Sequence, residues 1–583
     1  MKKLIFLLPL ACVIFFSGCD PSDNDGSSSI TDEEFAENFG GSVSRSFFGQ
    51  VVDQDNHSIQ NATITIGSST AQTDANGIFI IDDAQVHEKF AYITAKKNGY
   101  FDGSRSLVPT VGRNNVKIMM IALTPTGTVS SGETSDVALS SGTKVTFDGA
   151  FEDENGNSYS GNVTVSMYHL NASDENIDEL MPGMLYGRGE DGNEKGLITF
   201  GMLNVELRGS GGQKLQIANG HTAEIKMAID PTQTGTAPSS IPLWHFDQAT
   251  GYWKQDGIAT KQGNFYIGQV SHFSWWNCDA PVPVINLTMR VVDGNGDPVS
   301  AIQVILSFES DSGTNTRTGW TDENGNVSGK VPSNEVITMK IAMYNSCDPL
   351  TVSTIGPFTA DTNLGNQTAP TINQYLSTIN GSLATCSGGQ VTDGYVYLSS
   401  NIGSSFATVT DGNFSVSILS CDPPEEFDLV GIDYENLHTT DTIHYTATPP
   451  VTEMGTIPVC NTITQFISYT LDDNPTEYLI SNIQAYWIAS EEFFNISAQN
   501  NNEHSMYFSG STMTLGNYTT NNNFTVYIDG QSYWINADTP NSVIFHLNSF
   551  GAFGEYIDIT FSGSFTATDG VHDISATVHV KRQ

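Results

Sequence analysis

The sequence predicts an all-β protein built of serial β-sandwich modules, and three observations lead there. Glycine is abundant, at 54 of 583 residues, while charged residues make up only 15%, the composition of many strands joined by tight turns. Apolar residues alternate with polar ones at period two, as in Ala62, Ile64 and Ile66, and that spacing buries one face of a strand. One pattern of such strands followed by an Asn-Gly or Gly-Asn turn recurs in three stretches, the mark of a modular array. A chain of 583 residues is also too long for one hydrophobic core.

Lys2 and Lys3 precede an apolar run from Leu4 to Phe16, too short to span a bilayer and readable as a secretory segment. The run ends in Phe16-Ser17-Gly18-Cys19, which resembles the lipobox of bacterial lipoproteins. That resemblance implies cleavage before Cys19, so that residues 1–18 are a signal peptide and the Cys19 thiol carries diacylglycerol. A plain secretion signal ending near Gly18 is the alternative. Buried acyl chains contribute about 0.8 kcal/mol per CH₂, enough for several chains together to anchor a protein stably. Residues 19–45 read as an acidic flexible stalk, with Asp20, Asp23 and Asp25 directly behind the lipid site. The tract resembles that of Bacteroidota-type lipoproteins, which implies the outer membrane and its exterior face; a linker facing the periplasm stays open.

Lys and Arg total 23 against 64 Asp and Glu, a formal charge of −41. Such a surface repels phosphate backbones, so no nucleic-acid partner is expected. It also repels anionic lipid, leaving the acyl anchor as the membrane contact. A protein or polysaccharide is the remaining class of partner.

Residues 46–123 carry the repeated pattern first, with Phe48 to Asp53 and the turn Thr73-Asp74-Ala75-Asn76-Gly77. Residues 281–371 repeat it with Leu287, Met289, Val291 and Thr321-Asp322-Glu323-Asn324-Gly325. Residues 372–461 hold a divergent copy, with Gly394 to Leu398 and Thr410-Asp411-Gly412-Asn413. These elements resemble the carboxypeptidase regulatory-like domain, a transthyretin-like sandwich that performs no chemistry itself. Residues 124–280 form a larger β domain whose aromatic series Trp244, Trp253, Trp275 and Trp276 resembles the extracellular β domain of cartilage intermediate layer protein, implying a scaffold. Residues 462–583 close the chain as a further sandwich, transthyretin-like or Ig-like.

Few residues suggest chemistry. His272-Phe273-Ser274 resembles the self-cleaving triplet of ZU5-type and GPCR autoproteolysis domains, in which Ser274 would attack the Phe273 carbonyl after His272 takes its proton. The plainer reading makes Phe273 and Trp275 alternate core residues of a closing strand. The acidic turns at Asp53, Glu152 to Asn155 and Asp293 offer oxygens for Ca²⁺, but hairpins use the same residues for backbone reasons. No other cofactor is expected. Tyr486, Trp487 and Trp534 would form a ligand-stacking platform if exposed on one face. Beyond Cys12 and Cys19, five cysteines remain; Cys386 with Cys421 and Cys278 with Cys347 are the expected disulfides, and one thiol is left over. The chain is therefore expected to be a non-catalytic cell-surface lipoprotein acting as a modular scaffold for adhesion or ligand binding. An autoproteolytic surface protein cut between Phe273 and Ser274, or a glycan-binding component of nutrient uptake, are the alternatives.

Overall fold

A computed structural model describes residues 31–583 apart from 75, 311–312, 344–347, 401–402, 421–424, 448, 463–464, 473–476, 480–482, 489–492, 500–504, 523, 529–532 and 568. The lipobox and Cys19 lie outside the described residues. No helix among the described residues is long and apolar enough to cross a membrane.

The first module pairs a three-stranded sheet with a four-stranded one. In the smaller sheet, Ser42–Asp53 lies between Ile78–His87 and Asn114–Met120 and runs parallel to the latter. The larger holds Ser69–Gln72, Thr63–Ile66, Ala91–Lys96 and Gly103–Leu107. The period-two residues Ala62, Ile64 and Ile66 are completely buried between them. The same plan recurs with Val284–Val292 between Asn326–Pro332 and a parallel Thr362–Thr368. It recurs again with Leu376–Thr385 between Asn413–Leu419 and a parallel Val451–Val459.

The Thr-Asp turn explains itself locally. The Thr73 hydroxyl donates to the Ile59 carbonyl and accepts the Ala62 N–H, both at 2.7 Å. Asp74 Oδ1 accepts the N–H groups of Asn76 and Ile78, both at 2.9 Å. In the third module Thr321 accepts the Ile302 N–H, and Asp322 Oδ1 accepts those of Asn324 and Asn326. Buried backbone donors that no strand reaches are thereby satisfied by side chains. Gly77, at φ 72°, completes the turn; a Cβ there would lie 2.3 Å from the Val51 carbonyl.

Between the first and third modules, strands from Pro125–Ser130 to Trp275–Val282 form a thirteen-stranded sheet. Its spine, Glu194–Gly209, pairs with both Asn162–Leu170 and Trp275–Val282. The C-terminal module sets a six-stranded sheet against a five-stranded one around a core drawn from residues 467–580 alone.

The first module is a hub. Its Val52, Phe101, Met119 and Ile121 pack on Trp244, Trp253 and Trp275 of the second. Its loop donates the Gly112 N–H to Asp322 at 3.2 Å and the Arg113 N–H to Glu323 at 2.7 Å in the third. Its turn offers Asp74 Oδ2 to the hydroxyls of Tyr395 and Tyr434 in the fourth. Modules that follow one another in the chain thus cluster around the first.

Two expectations change. The segment read as a flexible stalk over 19–45 is folded from Thr31 onward: Thr31 and Glu34 form a capping box for the helix Asp32–Ala36, and Ser42 opens a strand. Phe35 and Phe39 are buried against Phe90, Tyr186 and Tyr252, while Arg188 and Lys254 hold Asp32; apolar anchors outweigh the acidic composition. The disulfides also differ. Cys386 bonds to Cys460, with Cα atoms 5.1 Å apart, and Cys278 is a buried free thiol, so neither expected pair forms. The parallel register sets Thr385 opposite Val459 and brings the two next residues together. Cys347 and Cys421 lie outside the described residues.

Candidate functional site: an uncharged aromatic sheet face

The five-stranded sheet of the last module runs in the order Gln484–Ile488, Phe493–Gln499, Ser505–Gly510, Thr525–Ile528 and Tyr533–Ile535. Side chains on a strand alternate between faces, so one face carries Ile496, Phe508, Val526 and Ile535 into the core. The register aligns the residues of the other: Ser497 opposes Tyr507, Tyr507 opposes Tyr527, and Tyr527 opposes Trp534. Tyr486 opposes Asn495 beside this row.

Trp534 is 46% exposed, Tyr507 38% and Tyr486 36%. Trp534 stacks on Tyr527 with ring centroids 5.1 Å apart, and Tyr507 meets Tyr527 edge-on at 5.7 Å. The rings hold one another in place and leave faces and hydroxyls toward solvent, the disposition of amphipathic aromatics at contact surfaces. Asn495 Oδ1, buried beside them, has no hydrogen-bond partner among the described residues. None of the five strands carries a charged residue, although the chain bears −41.

Of the three aromatics expected to form a platform, Tyr486 and Trp534 share this face. Trp487 does not: it follows Tyr486 in a strand, turns inward, and packs edge-on against Phe550 at 6.1 Å. Tyr507 and Tyr527 were missed. Period-two spacing puts each on a face, but only the hairpin register sets them beside Trp534.

His272-Phe273-Ser274 lies in an irregular bend just before the strand Trp275–Val282; Phe273 and Trp275 are alternate core residues as expected, but only Trp275 belongs to the strand. Phe273 is buried against Phe147, and its backbone is clamped at both ends by Gln216, whose Oε1 accepts the N–H at 2.7 Å and whose Nε2 donates to the carbonyl at 2.8 Å. The Ser274 hydroxyl donates to the Trp275 carbonyl at 3.1 Å. His272 Nδ1 faces the Ser271 hydroxyl at 3.4 Å, and its ring packs on His245 and Trp276. Burial lowers the His272 pKa. The geometry thus holds the bend in place and directs the serine away from the histidine.

The acidic turns use their carboxylates internally. Asp53 Oδ1 accepts the N–H groups of Asp55 and His57, Asp153 those of Asn155 and Asn157, and Asp293 those of Asn295 and Asp297. Asp53, Asp55 and His57 do bring one ligand atom each within 4.8 Å, but the backbone of the turn accounts for the placement.

No protein-family model and no curated protein sequence matches the chain. Among solved structures, a shaft pilin from Lactobacillus rhamnosus GG is similar at 11% identity, over 31% of this chain and 98% of that one, with a TM-score of 0.16. The major pilin subunit of Bacillus cereus is similar at 10% identity over 71% and 99%, with a TM-score of 0.12. The Bacillus anthracis TIE protein is similar at 8% identity over 69% and 66%, with a TM-score of 0.13. These scores are too low to indicate a shared overall fold.

Proposed function

We propose that the chain is a non-catalytic lipoprotein of the outer cell surface, anchored through Cys19, and that its C-terminal module binds a neutral polysaccharide. One observation carries the reading: Tyr486, Tyr507, Tyr527 and Trp534 share a solvent-facing side of a sheet without a charged residue. Sugar rings present apolar C–H faces that stack on aromatic rings and hydroxyls that bond to neutral polar groups such as Ser497 and Gln484, the mixed lining that ligand sites use. A polyanion would meet repulsion from the whole molecule, and the five strands offer a cation no carboxylate to pair with, so the ligand is uncharged. The rigid sandwich holds the row in register before the ligand arrives, and pre-ordering reduces the entropic cost of binding.

The test is retention of the full mature chain on a panel of immobilised neutral polysaccharides, compared with Trp534→Ala and Tyr507→Ala. Binding to at least one polymer, weakened about tenfold in each variant, is expected; tenfold corresponds to roughly 1.4 kcal/mol. Absence of binding across the panel, or variants that bind like the parent, contradicts the proposal. In cells, Cys19→Ala is expected to move the chain from the membrane fraction to the soluble one.

A further inference from the structure

The first four modules meet around an open cavity of about 660 Å³. We infer that this junction is a second binding site, separate from the C-terminal face, for an uncharged polyhydroxylated small molecule of mono- to disaccharide size. Ligand cavities of about 300–1,000 Å³ are typical and gather at domain interfaces. The aromatic part of the lining comes from Trp320 of the third module and from Tyr397 and Phe406 of the fourth, surfaces on which a sugar ring can stack. The polar part includes Gln303, Ser405 and Ser417. Gln303, Tyr397 and Ser417 line the cavity and make no side-chain hydrogen bond to the fold among the described residues, which leaves their donors and acceptors available to a ligand.

Charge narrows the ligand class further. Three charged side chains line the space. Lys117 of the first module is held by Glu179 of the second at 3.0 Å, and Asp55 is exposed. An anionic ligand finds Lys117 neutralised by Glu179 and Asp55 repelling it; a cationic one finds Glu179 already engaged and only the solvent-exposed Asp55 left to hold it, and exposed ion pairs contribute little. A purely apolar ligand would leave the Gln303 amide and the Tyr397 and Ser417 hydroxyls without partners. A neutral polyol satisfies both the rings and the polar groups.

All four modules contribute walls, so the site exists only when they are docked. A ligand that binds the docked form alone stabilises that arrangement by mass action, and occupancy therefore clamps the cluster.

The experiment uses the full mature chain with glucose, galactose, mannose, N-acetylglucosamine, maltose, cellobiose and lactose as probes at millimolar concentration, and reads Tm and tryptophan emission. At least one probe is expected to raise Tm and change the emission. Trp320→Ala and Gln303→Ala are each expected to weaken that response about tenfold. Gln303 is partly exposed, which keeps the test informative should Trp320→Ala unfold. Three results overturn the inference: no probe shifts Tm, Gln303→Ala responds like the parent, or inorganic phosphate or galacturonate shifts Tm more than every neutral sugar. Absence of any small-sugar response in the parent chain, together with polysaccharide binding by that same chain, would reject this site while leaving the C-terminal one standing.

Discussion

Five aspartates, Asp53, Asp74, Asp153, Asp293 and Asp322, each accept the backbone N–H groups two and four residues on. That economy explains why acidic turns recur without any need for an ion. At Asp74 and Asp322 the second carboxylate oxygen then reaches a neighbouring module, and burial raises the Asp74 pKa despite its donors. Two histidines of the second module contribute stability that acid removes, while the buried Asp279, whose pKa burial raises, works in the opposite direction. Burial, and then the neighbouring His272, hold His245 down at about 4, against Asp256 and Asp247, which pull it up; burial does the same to His169. The folded imidazoles stay neutral while the unfolded ones protonate below 6.5, so their contribution to stability is complete above that pH and is lost as pH falls toward 4. Each histidine contributes on the order of 3 kcal/mol to this loss. Thermal melts between these limits should therefore show Tm falling with pH, with a shallower fall in His245→Gln; an identical slope would show that other groups govern it. At the bend nearby, the Ser274 hydroxyl points to the Trp275 carbonyl. Denaturing electrophoresis of the mature chain is expected to give one full-length band, and two fragments meeting at Phe273-Ser274 would contradict that geometry.

At the scale of the element, strands were legible and their partners were not. Alternation in Ala223, Ile225 and Met227 places all three in the core of the second module, because period two and one buried face leave little choice. The same rule turns Trp487 away from Tyr486 and would have removed it from the platform. Cys386–Cys460 was hidden for a different reason: it depends on the parallel pairing of the first and last strands of its module, a contact long in sequence that no local pattern announces. The bond closes a separation of 74 residues, and a loop of that length corresponds to about 4 kcal/mol in the chain-entropy picture. Cys460→Ser should lower the unfolding free energy of the fourth module by about 2–4 kcal/mol in denaturant titration and leave the C-terminal module, with its separate core, unchanged. A variant as stable as the parent would show that the strand pairing alone holds the module. The segment before Ser42 teaches a related lesson: acidic composition predicted a stalk, yet two phenylalanines and a capping box suffice to dock it.

Across the whole molecule, modules that share one plan have been put to different uses. The first is surrounded: tryptophans of the second cover one side, the Thr-Asp turn of the third meets its loop, and its own turn enters the fourth. None of this docking was readable from the sequence, since the contacts join residues hundreds of positions apart through groups that each look like ordinary turn or core chemistry. The fifth module keeps its core to itself, so its aromatic face is carried by the cluster without being buried in it. If the chain is tethered at Cys19, the cluster is the base and the last module its presenting part. Protease treatment of intact cells, followed by detection of residues 462–583, tests that arrangement most directly. The account predicts that the C-terminal module is removed while periplasmic proteins survive; a module that stays intact until the outer membrane is broken would contradict it.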